Sequence, residues 1–169
     1  MGRGRGSVMT RFRRQCMVEE GFGRLDDAQL ARLDLPLRFS PALCLAFTTI
    51  GVVSRSPVVF GLLASVAAVG AITRRHPFDF VWEGLVRPAV AGPHLPKAPC
   101  PRRFAFTMGT PVLAGAAVSL ALGAEALGLG LAGLQMAGCA AYVFAGWCGA
   151  SVVHNKLFRR VPAAQASPA

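Results

Sequence analysis

Apolar and polar positions alternate along this chain in long blocks rather than short periods. Residues 39–54 and 57–73 form one pair of apolar, uncharged blocks, separated by the turn Ser54-Arg55-Ser56-Pro57. Residues 104–123 and 127–153 form a second pair, separated by Gly123-Ala124-Glu125. At 1.5 Å of rise per residue, the two shorter blocks would cross roughly 24–26 Å of a ~30 Å hydrocarbon core. Tight turns make each pair an antiparallel hairpin. Pro111 inside the third block is tolerable in a membrane, where neighbouring helices can satisfy the backbone group it frees. The pattern predicts an all-α, polytopic membrane protein of four transmembrane helices. Its two hairpins are joined by a polar bridge, residues 74–103.

The flanking segments read differently. Residues 25–33 (LDDAQLARL) have helical character, with Asp26 and Asp27 suited to a helix N-terminus, and predict a short juxtamembrane helix that ends before Pro36. Residues 1–24 are Gly- and Arg-rich at the start and predict a disordered basic tail, with Met9 and Met17 as alternative starts. Residues 161–169 predict a second disordered tail, which leaves residues 25–160 as the membrane domain.

Composition agrees with the block pattern. Hydrophobic residues make up 53% of the chain, charged residues 15%, and the mean hydropathy of +0.48 is too apolar for an ordinary soluble domain. A net charge of +10 could suggest nucleic acid, but the aromatic and basic interleaving of a base-stacking platform is missing, so no nucleic-acid partner is expected. The distribution of charge has another cause. Seventeen of the eighteen Lys and Arg residues fall in the N-terminal segment, the bridge and the C-terminal tail, and only Arg55 falls in the short turns. The positive-inside rule then places both termini and the bridge in the cytoplasm, with the chain in the cell (inner) membrane and anionic lipid headgroups near its basic segments. Five irregularly spaced Cys and three scattered His give no disulfide framework and no metal-ligand motif, and no cofactor is implied.

The bridge holds two distinct parts. From Pro77 to Arg87, Phe78, Val81, Trp82, Leu85 and Val86 recur at helical spacing, with Asp79, Glu83 and Arg87 on the opposite face. This predicts an interfacial helix lying flat on the membrane, with Trp82 in the headgroup layer and a Glu83–Arg87 pair. Then comes a stretch with four Pro in nine positions, 93–101, which excludes helix and predicts a stiff extended strap into Arg102 and Arg103. In the fourth block, Gly133, Ala137, Ala141, Ala145 and Gly149 stand four apart and predict a packing stripe, with that span at the centre of the bundle.

The candidate functional cluster is Arg102, Arg103 and Cys100 together with Cys148, Ser151, His154 and Asn155 at the cytoplasmic end of the fourth span. A thiol beside guanidinium groups would have a lowered pKa. No nucleophile, base and orienting group recur at recognised spacing, so a catalytic site is not predicted. The segments RHPFDFVWEGLVRP, LPKAPCPRRFAFTMG and AYVFAGWCGASVVHNKLF resemble the successive signatures of a bacterial four-span membrane family of unknown function, domain-of-unknown-function family four-three-nine-five. The likeness covers roughly residues 34–160. Members often carry Cys where this chain has Phe106 and Ser151, whereas Cys148 matches. The resemblance implies membrane residence and a cytoplasmic protein partner, thioredoxin- or rhodanese-like. From the residues themselves the expected role is a non-enzymatic scaffold or docking protein. The alternatives are a thiol- or sulfur-handling protein using Cys148 near Arg102 and Arg103, and, ranked low, a small-molecule transporter.

Overall fold

Asp26 starts the first long helix with a reciprocal cap. Its carboxylate accepts from Gln29 N–H at 2.8 Å, and the Gln29 side chain accepts from Asp26 N–H at 3.1 Å. From there α2 (Asp27–Ser54) runs unbroken through Pro36 and Pro41. The computed structural model describes residues 10–158, all helix and connecting segments with no strand among them. Before α2 lies α1 (Arg11–Met17), continued by a wide turn, Val18–Phe22. After it come α3 (Pro57–Thr73), α4 (Pro77–Val90), α5 (Cys100–Ala121), α6 (Glu125–Ala145) and α7 (Gly149–Phe158).

Helices α2, α5 and α6 are each long and apolar enough to cross a membrane. Helix α3 passes the same test only together with α4, from which it is bent by 84°. The bend follows from Arg74 in the left-handed region and from Pro77 opening the next helix. Helix α5 is the hub and packs against α3, α6, α7 and the N-terminal turn. Its buried Leu113 and Ala116 join Phe60, Leu63, Ala64, Ala67 and Ala132 in a core between the spans. A second core, Met17, Phe22, Leu30, Leu33, Leu37, Trp82 and Leu95, sits where α1, α2, α4 and the strap meet.

Five expectations need correction. The supposed tail over residues 1–24 is folded from Arg11 onward, because Arg13, Cys16, Met17 and Glu20 recur at i, i+3, i+4 and i+7 and are all buried. The short helix at 25–33 does not end before Pro36 but continues into the first span, since both proline rings are accommodated within α2. The fourth block is two helices, broken at Gly146 with φ 68°. That break takes Gly149 off the proposed stripe, and Gly133 and Ala137 are exposed; the face of α6 that packs is Gly128, Ala132, Cys139 and Tyr142. The fourth span is therefore not the central packing helix. The expected tails at residues 1–9 and 161–169 lie outside the described residues.

The fifth correction is the bridge. Trp82 is 3% exposed rather than in a headgroup layer, and its ring lies 5.5 Å from that of Phe39. Asp79 of the predicted polar face is also buried, whereas Leu85 of the predicted apolar face is 72% exposed. The strap causes this rotation. Trp82 donates its indole N–H to Pro93 O at 3.3 Å, and Glu83 accepts from Leu95 N–H at 2.6 Å and contacts His94 Nδ1 at 2.9 Å. Glu83 also pairs with Arg87 at 2.9 Å. Burial pushes the Glu83 carboxyl up, but Leu95 N–H, His94 and Arg87 together hold it below the usual carboxylate range. Truncation of this anchor should be costly. Trp82→Ala is expected to destabilise by about 3–5 kcal/mol, read as a lower melting temperature in detergent, with the exposed Leu85→Ala near neutral as the control.

Candidate functional site

A helix surrounded by lipid or protein must satisfy its backbone carbonyls internally. At three places in this fold an arginine answers carbonyls left without a helical partner. Pro41 has no N–H, so the carbonyl four residues earlier, Leu37 O, is free; Arg102 Nη2 donates to it at 3.1 Å. The last turn of α3 ends in unpaired carbonyls, and Arg103 donates to Ala71 O at 3.0 and 2.8 Å through Nε and Nη2. At the break after α6, Arg38 donates to Val143 O at 2.6 Å and Arg13 donates to Gly146 O. Cations also suit the negative end of a helix dipole.

Asp34 aligns the two arginines at the break. Arg38 donates to its Oδ1 at 3.2 Å and to its Oδ2 at 3.1 Å, and Arg13 Nε donates to the same Oδ1. Gly146 is needed twice over here. Its φ is positive, and a Cβ would stand 2.6–2.8 Å from the Arg13 side chain. Arg13 Nη1 also lies 3.4 Å from Glu20, which is 1% exposed and accepts from the Tyr142 hydroxyl at 2.7 Å. The guanidinium carbons of Arg13 and Arg102 lie 5.4 and 5.9 Å from the Tyr142 ring centroid. Burial pushes the Glu20 carboxyl up, against the pull of Arg102, the Tyr142 hydroxyl and Arg13.

Arg102 and Cys148, two members of the sequence-predicted cluster, line one cavity. Of the other members, Ser151 lies against Cys148 and the rest are placed elsewhere. Arg103 turns to α3, and Cys100 is exposed at the start of α5. His154 stacks between Phe104 and Phe158, at centroid distances of 5.5 and 5.1 Å. Asn155 donates to Glu19 O at 2.8 Å and so ties α7 to the N-terminal turn, while Ser151 is fully buried. The expected lowering of the Cys148 pKa is corrected. Burial pushes the thiol up, and Ser151 and Arg102 offset this only in part. His76 faces the same cavity and is held down to about 4, first by burial, with Arg102 adding to the effect and Asp79 opposing it.

Sequence reasoning missed Arg13, Glu20, Asp34 and Tyr142. The signal was present as the helical spacing of Arg13, Cys16, Met17 and Glu20, but a charge at each end hides that face from any search for apolar periodicity. Loss of Arg13 leaves Glu20 buried without its cation and Gly146 O without its donor. Arg13→Gln should therefore cost about 3–5 kcal/mol, read as a lower melting temperature, whereas the exposed Arg11→Gln should melt as the wild type. Cys148 should react with maleimide more slowly than an ordinary thiol near neutral pH. Because its pKa is raised, the rate should keep climbing with pH after the rate of a free thiol has levelled off.

A family model described as a domain of unknown function (DUF4395) matches residues 35–159. No curated protein and no solved structure matches the chain. The matched segment takes in Arg38, Arg102, Arg103, Tyr142 and Gly146, and leaves Arg13 and Glu20 outside it. With well over half of its residues matched by that model, this chain belongs to the DUF4395 family.

Proposed function

We propose that the chain is a four-span protein of the bacterial inner membrane that works by binding rather than catalysis, docking a cytoplasmic protein on the end where its termini and bridge meet. The carrying observation is the construction of that end. Arg13 ties α1 to the break after α6, Trp82 and Glu83 hold the strap to α4, and Asn155 ties α7 to the N-terminal turn, so the surface they form is a defined shape rather than a set of loops. Gly21 illustrates the closeness, because a Cβ there would stand 2.7 Å from Pro99. Arg11, Arg24 and Lys97 on and beside these elements, Arg32 near the start of α2, and Arg74 and Arg75 in the bend between α3 and α4 are exposed, so an acidic partner face is the complementary one. At the other end Arg55 pairs with Glu125 at 2.8 Å. The seventeen-to-one division of basic residues supports a cytoplasmic cap, and α4, bent 84° from α3, suits a helix lying along the membrane surface.

The groups with acid–base capacity are engaged in structure: Glu20 with Arg13 and Tyr142, and Asp79 with Ser40 and with His76 N–H at 2.9 Å. Burial of Cys148 works against the thiol-handling alternative. Two measurements test the proposal. An impermeant maleimide should label the exposed Cys100 in inside-out vesicles and spare it in right-side-out ones; labelling from outside would reverse the orientation. A protein recovered with the wild type from native membranes should be lost from an Arg74/Arg75/Lys97→Gln variant that melts normally, and its undiminished recovery would remove the docking role.

A further inference from the structure

The cavity that Arg102 shares with Cys148 has a volume of about 350 Å³. That lies within the ~300–1,000 Å³ of small-molecule sites. Its walls are apolar along most of their length, with Val66 from α3, Phe106 and Leu113 from α5, and Leu134 from α6. The polar end is different. Arg102 is 6% exposed there, and while its Nη2 is taken by Leu37 O, its Nη1 has no hydrogen-bond partner among the described residues. The neighbouring carboxylates are committed elsewhere, Glu20 to Arg13 and Tyr142 and Asp79 to Ser40 and His76. A buried guanidinium with a spare donor and no direct carboxylate partner calls for an oxyanion.

A second feature points to the same place. Gly149 and Ala150, the first residues of the ten-residue helix α7, also line the cavity. First-turn N–H groups have no partner within their helix and carry the positive end of its dipole. Three other polar groups on the wall have partners within the protein. The Ser40 hydroxyl donates to Asp79, His76 Nδ1 accepts from Phe78 N–H at 3.3 Å, and the Gln135 amide contacts the Cys44 and Cys139 sulfurs at 3.7 and 3.5 Å.

We propose that this cavity binds a single-chain amphiphile with an oxyanion head, a fatty-acid-like carboxylate or an alkyl phosphate. The head sits between Arg102 and the first turn of α7, and the tail lies along Val66, Phe106, Leu113 and Leu134. The volume admits one short chain and no second one. This goes beyond the docking role and does not depend on it, since it concerns the inside of the bundle and not its cytoplasmic surface.

The test uses the full chain in zwitterionic nanodiscs and a dodecanoate that carries a photoactivatable diazirine in its tail. Peptides from α5 and α6 should be crosslinked. Unlabelled dodecanoate or dodecyl phosphate should compete, and whichever is the better competitor identifies the head. Dodecanol, with the same tail and no charge, should compete roughly tenfold less well or worse, as loss of a charge-assisted contact implies. Arg102→Gln should abolish this preference and Arg102→Lys should keep part of it. Gly109→Leu leaves Arg102 in place and fills the cavity from a position where an added Cβ meets Gln135 at an ordinary 3.5 Å. It should prevent crosslinking even if the Arg102 variants fold poorly. Equal competition by dodecanol, displacement by inorganic phosphate alone, or wild-type crosslinking in Gly109→Leu would each overturn the proposal.

Discussion

Backbone carbonyls without helical partners are the constraint on which this structure depends. In water such groups find solvent; between membrane spans each must find a donor in the protein. Three of the sites where the chain frees such carbonyls carry an arginine: Pro41 within α2, the end of α3 at a sharp bend, and the break between α6 and α7. Arg102, Arg103, and the pair Arg13 and Arg38 answer them in turn. Arginine suits the task because its planar group reaches across several ångströms and presents donors in more than one direction. Arg13 uses two of its three nitrogens in this way, Nε to Asp34 and Nη1 to Glu20 and Gly146 O.

Burying these cations sets the rest of the arrangement. A guanidinium removed from water is costly unless carboxylates and aromatic faces surround it. Asp34, Glu20 and Tyr142 supply that surrounding, and they draw the N-terminal segment down onto the ends of the spans. The Pro-rich strap completes the cover through Glu83 and Trp82. The helix break thus produces both a defined polar cap and, beneath it, a cavity whose one charged wall residue is Arg102. Cap and cavity are two sides of the same polar layer, so the proposed docking surface and the proposed ligand site would share it.

Much of the fold was legible from sequence. The turn at Ser54–Pro57, the bounds of the helix at 57–73 and the all-α class follow from long uncharged blocks, because lipid selects for them regardless of neighbours. The Glu83–Arg87 pair was legible too, since a spacing of four on a helix suffices to bring the two together. The small-residue stripe failed for a physical reason. Spacing marks a face but does not say which face meets a neighbour, and on α6 the packed face is Gly128, Ala132, Cys139 and Tyr142. The candidate cluster divides for a related reason: Arg102 and Arg103 are adjacent in sequence, so a helix points them in different directions, and Arg102 lines the cavity with Cys148 while Arg103 turns to α3.

The sequence by itself determined that the chain is built of long apolar helices, how basic charge divides along it, and that prolines interrupt the bridge. These are properties of local composition, and solvent or lipid reads them one segment at a time. Only the tertiary structure decided that Arg13 and Glu20 belong inside, that Trp82 is an anchor under the strap, and that burial shields the Cys148 thiol. Each of these depends on a carbonyl, a ring or a carboxylate supplied by a segment distant in the chain. Arg13 and the Gly146 carbonyl it holds are 133 residues apart.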